Sequence, residues 1–195
     1  MKSIYLVLDL ENDLVHADGP NGKSALGEQV RTRRVVENTA LAIGKARAAG
    51  IAVGFVRVGF SPDYRECPAK SPVFSGARQN NLFKLGSWGA EIHPDLQVLP
   101  GDFQIVKHRV SPFYSTTLEA QLRALGVARI YCSGVSTQAV VQATVRDAHD
   151  RDYEVVVLED ACCAPSLEEH RNSIGSISRF CSLATAENVV FDNPG

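Results

Sequence analysis

No apolar run in the sequence approaches the roughly 20 residues that a membrane span requires. The first such run, Ile4 to Leu8, stops at Asp9. The opening residues also lack the charged start, long apolar stretch and small-residue cleavage site of a signal peptide, so an unexported, cytoplasmic protein with no membrane partner is expected. A large excess of either sign of charge is missing too. With 20 basic residues against 22 acidic ones and a net charge of −2, there is no broad basic field to hold a nucleic-acid backbone, and no nucleic-acid partner is expected. The five cysteines, Cys67, Cys132, Cys162, Cys163 and Cys181, are odd in number and contain no C-x-x-C pair, which argues against a disulfide framework and a zinc ribbon. Neither glycine-rich phosphate-binding fingerprint is present, and no internal repeat or low-complexity segment interrupts the chain.

What is present is an ordinary globular composition, 45% hydrophobic and 22% charged over 195 residues, which fits one domain spanning 1–195 with a full core of its own. Ile4 to Leu8 is short, continuously apolar and reads as a strand buried on both faces. From Arg33 to Ala49, Val36, Ala40, Ile43 and Ala46 recur at helical spacing before Gly50, and a second strand follows over Ile51 to Val58. Further strands are expected over Phe103 to Lys107, Arg129 to Ser133, Glu154 to Leu158 and Asn188 to Phe191. Helices are expected over Thr116 to Leu125, Thr137 to Asp150 and Ser166 to Phe180. This alternation predicts a single-domain α/β fold of three αβα layers, with a six-stranded, mainly parallel sheet and right-handed crossovers. Between Gly59 and Pro100, prolines, glycines and unevenly spaced aromatics break every period, and a connection of that length points to a binding loop or a subunit contact.

In an open parallel sheet the ligand crevice lies beyond the carboxyl ends of the strands. The residues there are Asp9, Arg57, Lys107-His108-Arg109, Ser133 to Thr137 and Glu159 to Cys163. Asp9 has two readings, a general acid or base whose proton affinity burial raises, or a carboxylate that caps a turn through Asn12 and Asp13. Lys107 either stabilises developing negative charge or snorkels out of a strand end. Gly134 to Thr137 joins a strand to a helix with Thr137 as a candidate N-cap, which makes either an oxyanion site or a plain turn. His108 either lines the crevice or is solvated, whereas His16, His149 and His170 are expected on exposed turns and helix faces. Trp88 and Phe113 suit the wall of an apolar pocket or a subunit contact.

Leu6 to Leu14 (LVLDLENDL), Val106-Lys107, Phe113, Gly134 to Thr137, Thr144 to Ala148, Tyr153 to Val155 and Glu159 to Ala161 together resemble, in order and spacing, the isochorismatase-like hydrolases, a superfamily that includes nicotinamidases and other cysteine amidohydrolases. The resemblance implies a catalytic Asp-Lys-Cys set with Asp9 and Lys107 as its first two members. It also implies a non-proline cis peptide between Val135 and Ser136, and backbone N–H groups over Val135, Ser136, Thr137, Ala139 and Val140 that hold developing negative charge. The nucleophile of that set falls at Val140, which has no atom able to attack, and the family glutamine of the first block is Glu11 here. Cys132, inside a strand, fits a small buried hydrophobe, while Cys162 and Cys163 stand at the correct sheet edge but away from the crevice.

The expected activity is therefore hydrolysis of a small, carboxylate-bearing metabolite at an enol ether or C–N bond, by Asp/Lys acid–base chemistry without a thiol. The open alternatives are an inactive relative that binds a small molecule or assembles and, as a minor option, a thiol hydrolase using Cys132, Cys162 or Cys163. No cofactor and no metal are expected, since the long loop offers His93 without an H-x-x-H pattern. The family implies a homo-oligomer, a dimer or tetramer.

Overall fold

The computed structural model describes residues 1–194. β1 (Lys2–Leu8) forms because its branched and aromatic residues can be buried on both faces, and all but Lys2 are buried. Tyr5 and Val7 enter one core and Ile4, Leu6 and Leu8 the other, so the period of two in the strand feeds two separate hydrophobic layers. The remaining strands are β2 (Ala52–Val58), β3 (Phe103–Lys107), β4 (Val127–Val135), β5 (Glu154–Cys163) and β6 (Ser182–Ala184). The order across the sheet is β3-β2-β1-β4-β5-β6, and every pairing is parallel.

A short helix α1 (Asn12–Val15), which no apolar period announces, follows β1 directly. Helices α2 (Ala25–Thr32) and α3 (Val35–Ala48) cover the Tyr5 face, supplying Val30, Val35, Ala42, Ile43 and Ala46. Helices α4 (Leu118–Leu125), α5 (Gln142–His149) and α6 (Leu167–Ile177) cover the other face with Leu118, Leu122, Val145, Ala148 and Ile177. The helix expected from Arg33 starts at Val35, because Arg34 adopts a left-handed φ of 55° and separates it from α2.

The last strand is not at Asn188 to Phe191. The sheet edge is taken by Ser182–Ala184, which pairs with Val156 to Leu158. Val189 and Phe191 are buried without joining the sheet, the Phe191 ring lying 5.5 Å from Tyr5 and 4.7 Å from Tyr131. Their apolar character serves packing, and β pairing is not required for it.

The segment after β2 builds a small core of its own, in which Phe60, Tyr64, Phe74, Ala77 and Phe83 pack on Val58. α1 pins it from below: Asn12 Nδ2 donates to the Trp88 carbonyl at 2.8 Å, and Phe83 N–H donates to Asp13 Oδ2 at 2.6 Å. The chain winds outward from β1 to β3 and then returns to β4. The strand order therefore reverses between β1 and β4, and a crevice opens at their carboxyl ends.

Candidate active site

Asp9 stands at the end of β1 with φ 53°, a left-handed conformation that aspartate tolerates better than most residues. Its N–H donates to the Val56 carbonyl at 2.8 Å, which fixes the backbone against β2. Lys107, the last residue of β3, lies on the far side of β2, and its Nζ donates to Asp9 Oδ2 at 2.8 Å and to the Arg109 carbonyl at 3.1 Å. Both side chains are buried, with 7% and 1% of their surface exposed. Asp9 is thus an ion-pair partner, and α1 begins after Glu11 without any side-chain cap. Burial raises the proton affinity of Asp9, and this outweighs the opposing pull of the Lys107 ammonium.

Glu11 is wholly buried behind this pair. Its Oε1 accepts from Val58 N–H at 3.2 Å, while Oε2, like Asp9 Oδ1, makes no hydrogen bond among the described residues. Desolvation, reinforced by the charge of Asp9, pushes its pKa well above the ordinary value.

The opposite wall comes from the turn after β4. Gly134 adopts φ 141°, and a Cβ there would run into the Leu8 carbonyl, so only glycine lets β4 lie this close to the end of β1. The peptide between Val135 and Ser136 is cis. A single π-type turn, Thr137–Val141, then leads into α5, a geometry often found at functional sites. It is held from behind by α6, where His170 Nδ1 meets Thr137 Oγ1 at 2.9 Å and His170 Nε2 meets Glu159 Oε2 at 3.0 Å. His170 is thus buried, contrary to the expectation from its helix position, because Arg33 and Glu159 supply polar partners from α3's approach and from β5. Burial lowers its pKa.

These elements enclose a cavity of about 290 Å³ with Asp9 and Lys107 at its polar end. Val135, Ser136, Ala139 and Val140 line it from the β4 side, and Leu14, Val58, Phe74, Leu82, Phe83 and Val110 make most of the rest apolar. The Ala139 N–H is engaged by the Ser136 carbonyl at 3.1 Å. Thr137 turns its hydroxyl to His170 and is not part of the lining. Trp88 is 47% exposed, edge-on to His16, and Phe113 is buried against Tyr153 and Arg151. Neither ring reaches the cavity. Arg57 donates to the Ala90 carbonyl, Arg109 to the Glu66 carbonyl, and His108 contacts the Gly59 carbonyl, so none of them faces the Asp9 cavity.

None of the five cysteines lines this cavity, although Cys67 Sγ donates to the carbonyl of Phe74 in its wall at 3.2 Å. Cys132, Cys162 and Cys163 are fully buried, and burial pushes all three thiols up, Cys163 to about 12. The residues that periodicity does not reveal are the cavity walls supplied by the long segment, Val73, Phe74, Leu82 and Phe83. The one signal for them is the clustering of apolar residues in an otherwise unpatterned loop.

Residues 3–188 match the family model described as the isochorismatase domain. The chain belongs to the isochorismatase family of hydrolases. Within that family it is similar to the protein YecD of Escherichia coli O157:H7, 34% identical over 188 residues covering 95% of this chain and 93% of YecD. It is also similar to the ureidoacrylate amidohydrolase RutB of Acinetobacter baylyi, 32% identical over 192 residues covering 92% of this chain and 78% of RutB. Among solved structures, an isochorismatase family protein from Desulfovibrio vulgaris superposes with a TM-score of 0.83 at 26% identity, over 95% of both chains. No helix among the described residues is long and apolar enough to cross a membrane.

Proposed function

We propose that this isochorismatase family member hydrolyses a small, uncharged substrate at an enol-ether C–O bond or a C–N bond, by proton transfer at Asp9 and without a covalent intermediate. The observation that carries this reading is the buried Asp9–Lys107 pair in the lining of a mostly apolar cavity. Removing two charges from water is costly, and burying them in the wall of a cavity rather than replacing them with apolar side chains suits chemistry better than stability.

The protonated Asp9 carboxyl gives its proton to the substrate as the bond to the leaving group weakens. Water adds to the electron-poor carbon, and its proton returns to the Asp9 carboxylate, so one water is consumed and the enzyme is regenerated. Lys107 steadies the carboxylate while it is charged. Val140 supports the absence of a covalent step, since an isopropyl group cannot act as a nucleophile. The name of the RutB relatives, amidohydrolases, favours the C–N arm.

A neutral substrate fits better than the carboxylate-bearing one expected from sequence. Lys107 is the one cation among the described residues that line the cavity, and it is already paired with Asp9.

The test is a panel of small ureides, primary amides, carbamoyl amines and enol ethers, in charged and uncharged forms, with the wild-type protein and Asp9→Asn. Turnover of an uncharged compound that falls by about 10²-fold or more in Asp9→Asn is the expected result. Turnover that survives the substitution would remove Asp9 from the chemistry. Tight binding without any turnover would make the chain a binding protein.

A further inference from the structure

The Asp9–Lys107 pair does not account for all the charge at the polar end of the cavity. Glu11 adds a second buried carboxyl, so three ionisable groups, two acidic and one basic, share one region without bulk water. With both carboxyls ionised the cluster would carry a net negative charge in a low-dielectric interior, whereas one added proton makes it neutral. The hydrogen bonds point the same way. Each carboxyl has one oxygen satisfied, Asp9 Oδ2 by Lys107 and Glu11 Oε1 by Val58 N–H, and one buried oxygen left without a partner, Oδ1 and Oε2. A buried carboxylate oxygen without a donor is costly, and a proton on the carboxyl pair lowers the negative charge those oxygens must hold unsatisfied.

We propose that Asp9 and Glu11 hold a single proton between them at neutral pH, with Glu11 a positioning residue whose carboxyl raises the pH at which the pair gives that proton up. The inference rests on the Asp9 chemistry proposed above and assigns the group that sets its protonation. Glu11 does not line the cavity, whereas Asp9 does, so the proton leaves through Asp9. When Asp9 gives it to the substrate, both carboxylates face Lys107 until the added water returns a proton, and the count is restored over one turnover.

The groups that bear on Glu11 are few. Asp9 raises its proton affinity and Lys107 lowers it, the backbone N–H of Val58 comes from β2, and the segment on its other side meets it at Ile92, an uncharged residue paired through the backbone. Like charges in one buried site cannot both ionise freely, so the two carboxyls titrate as a pair.

The experiment needs no substrate. Infrared titration of the wild-type protein, Asp9→Asn and Glu11→Gln follows the stretch of a protonated carboxyl, which an ionised one lacks. Wild type is expected to show one buried carboxylic acid at pH 7. In Glu11→Gln, whose amide oxygen can still accept from Val58, Asp9 should lose its proton at a pH lower by about one unit or more. In Asp9→Asn, Glu11 should likewise titrate at lower pH than the pair. A wild-type protein with no protonated buried carboxyl at pH 7, or an Asp9 titration that Glu11→Gln leaves in place, would overturn the proposal. If Glu11→Gln does not fold, the Asp9→Asn spectrum decides: a Glu11 titration no lower than that of the wild-type pair would overturn the proposal equally. An Asp9 titration that Glu11→Gln leaves in place overturns only the pairing and leaves the hydrolytic reading to be judged by turnover, whereas the absence of any protonated buried carboxyl would also remove Asp9 as the acid.

Discussion

Lys107 Nζ meets Asp9 Oδ2 at 2.8 Å although the two residues are 98 positions apart and their strands are separated by β2. The contact therefore reports on the assembled sheet. Lys107→Met leaves two buried carboxyls without their cation, and the loss expected is about 3–5 kcal/mol; Asp9→Asn should cost less, because Glu11 can then face Lys107 as the carboxylate. The double variant should lose less than the sum of the two, because neither charge is then left alone. Urea unfolding of the four proteins checks this, and strict additivity would mean that the pair is not coupled in solution.

With the partly exposed Cys67 and Cys181 replaced by serine, activity should be indifferent to thiol reagents. Cys132, Cys162 and Cys163 are buried and their thiols are held in the protonated form, so iodoacetamide has no thiolate to attack among them in the folded protein at neutral pH. Turnover before and after treatment is expected to agree. Inactivation that bound substrate prevents would bring a cysteine back into the mechanism.

Stability should fall as the solution is made less acidic across the range where Glu11 titrates. Its pKa in the folded protein lies well above the ordinary value of 4.5, so the native state binds the proton more tightly than the unfolded chain does. The penalty on folding is absent below 4.5 and grows as pH rises towards the raised folded value. Glu11→Gln removes this titration, and the difference in unfolding free energy between the two proteins should shift in favour of the variant from about pH 5 upward until Glu11 is ionised. A constant difference across that range would contradict the raised pKa.

Gly134→Ala should destabilise the protein by at least about 2 kcal/mol. The added methyl meets the Leu8 carbonyl, and φ 141° is a conformation that alanine rarely adopts. Thermal unfolding measures the loss. A variant as stable as wild type would show that the turn has room to shift.

The parts legible in the sequence are those set by short-range pattern. Apolar runs ending in a charged residue mark β1 with Asp9 and β3 with Lys107, and the parallel strands bring such ends to one edge, but each residue keeps two readings on pattern alone and only the family resemblance pairs them. The walls of the cavity are not legible in this way. Phe74, Leu82 and Phe83 sit in no periodic element and acquire their places from a local core and from the bond between Asp13 and Phe83 N–H, which depend on tertiary contact. His170 differs from its expected exposure for the same reason. Its neighbours in α6 give no hint of Arg33 and Glu159, which come from elsewhere in the chain and satisfy the ring when it is buried. Val189 and Phe191 look like a strand because burial on a core and burial in a sheet demand the same residue types.

The bond between His170 and Thr137 fastens the π-type turn to the helical layer behind it, on the side away from the cavity. One wall of the chamber is thus fixed to the scaffold, while the facing wall, with Val73, Phe74, Leu82 and Phe83, belongs to a segment that carries no strand of the sheet. On the proposed function, substrate preference and reaction chemistry would reside in separable parts of the molecule. Exchanging that outer stretch between relatives offers a route to new specificities that leaves the proton-handling apparatus untouched.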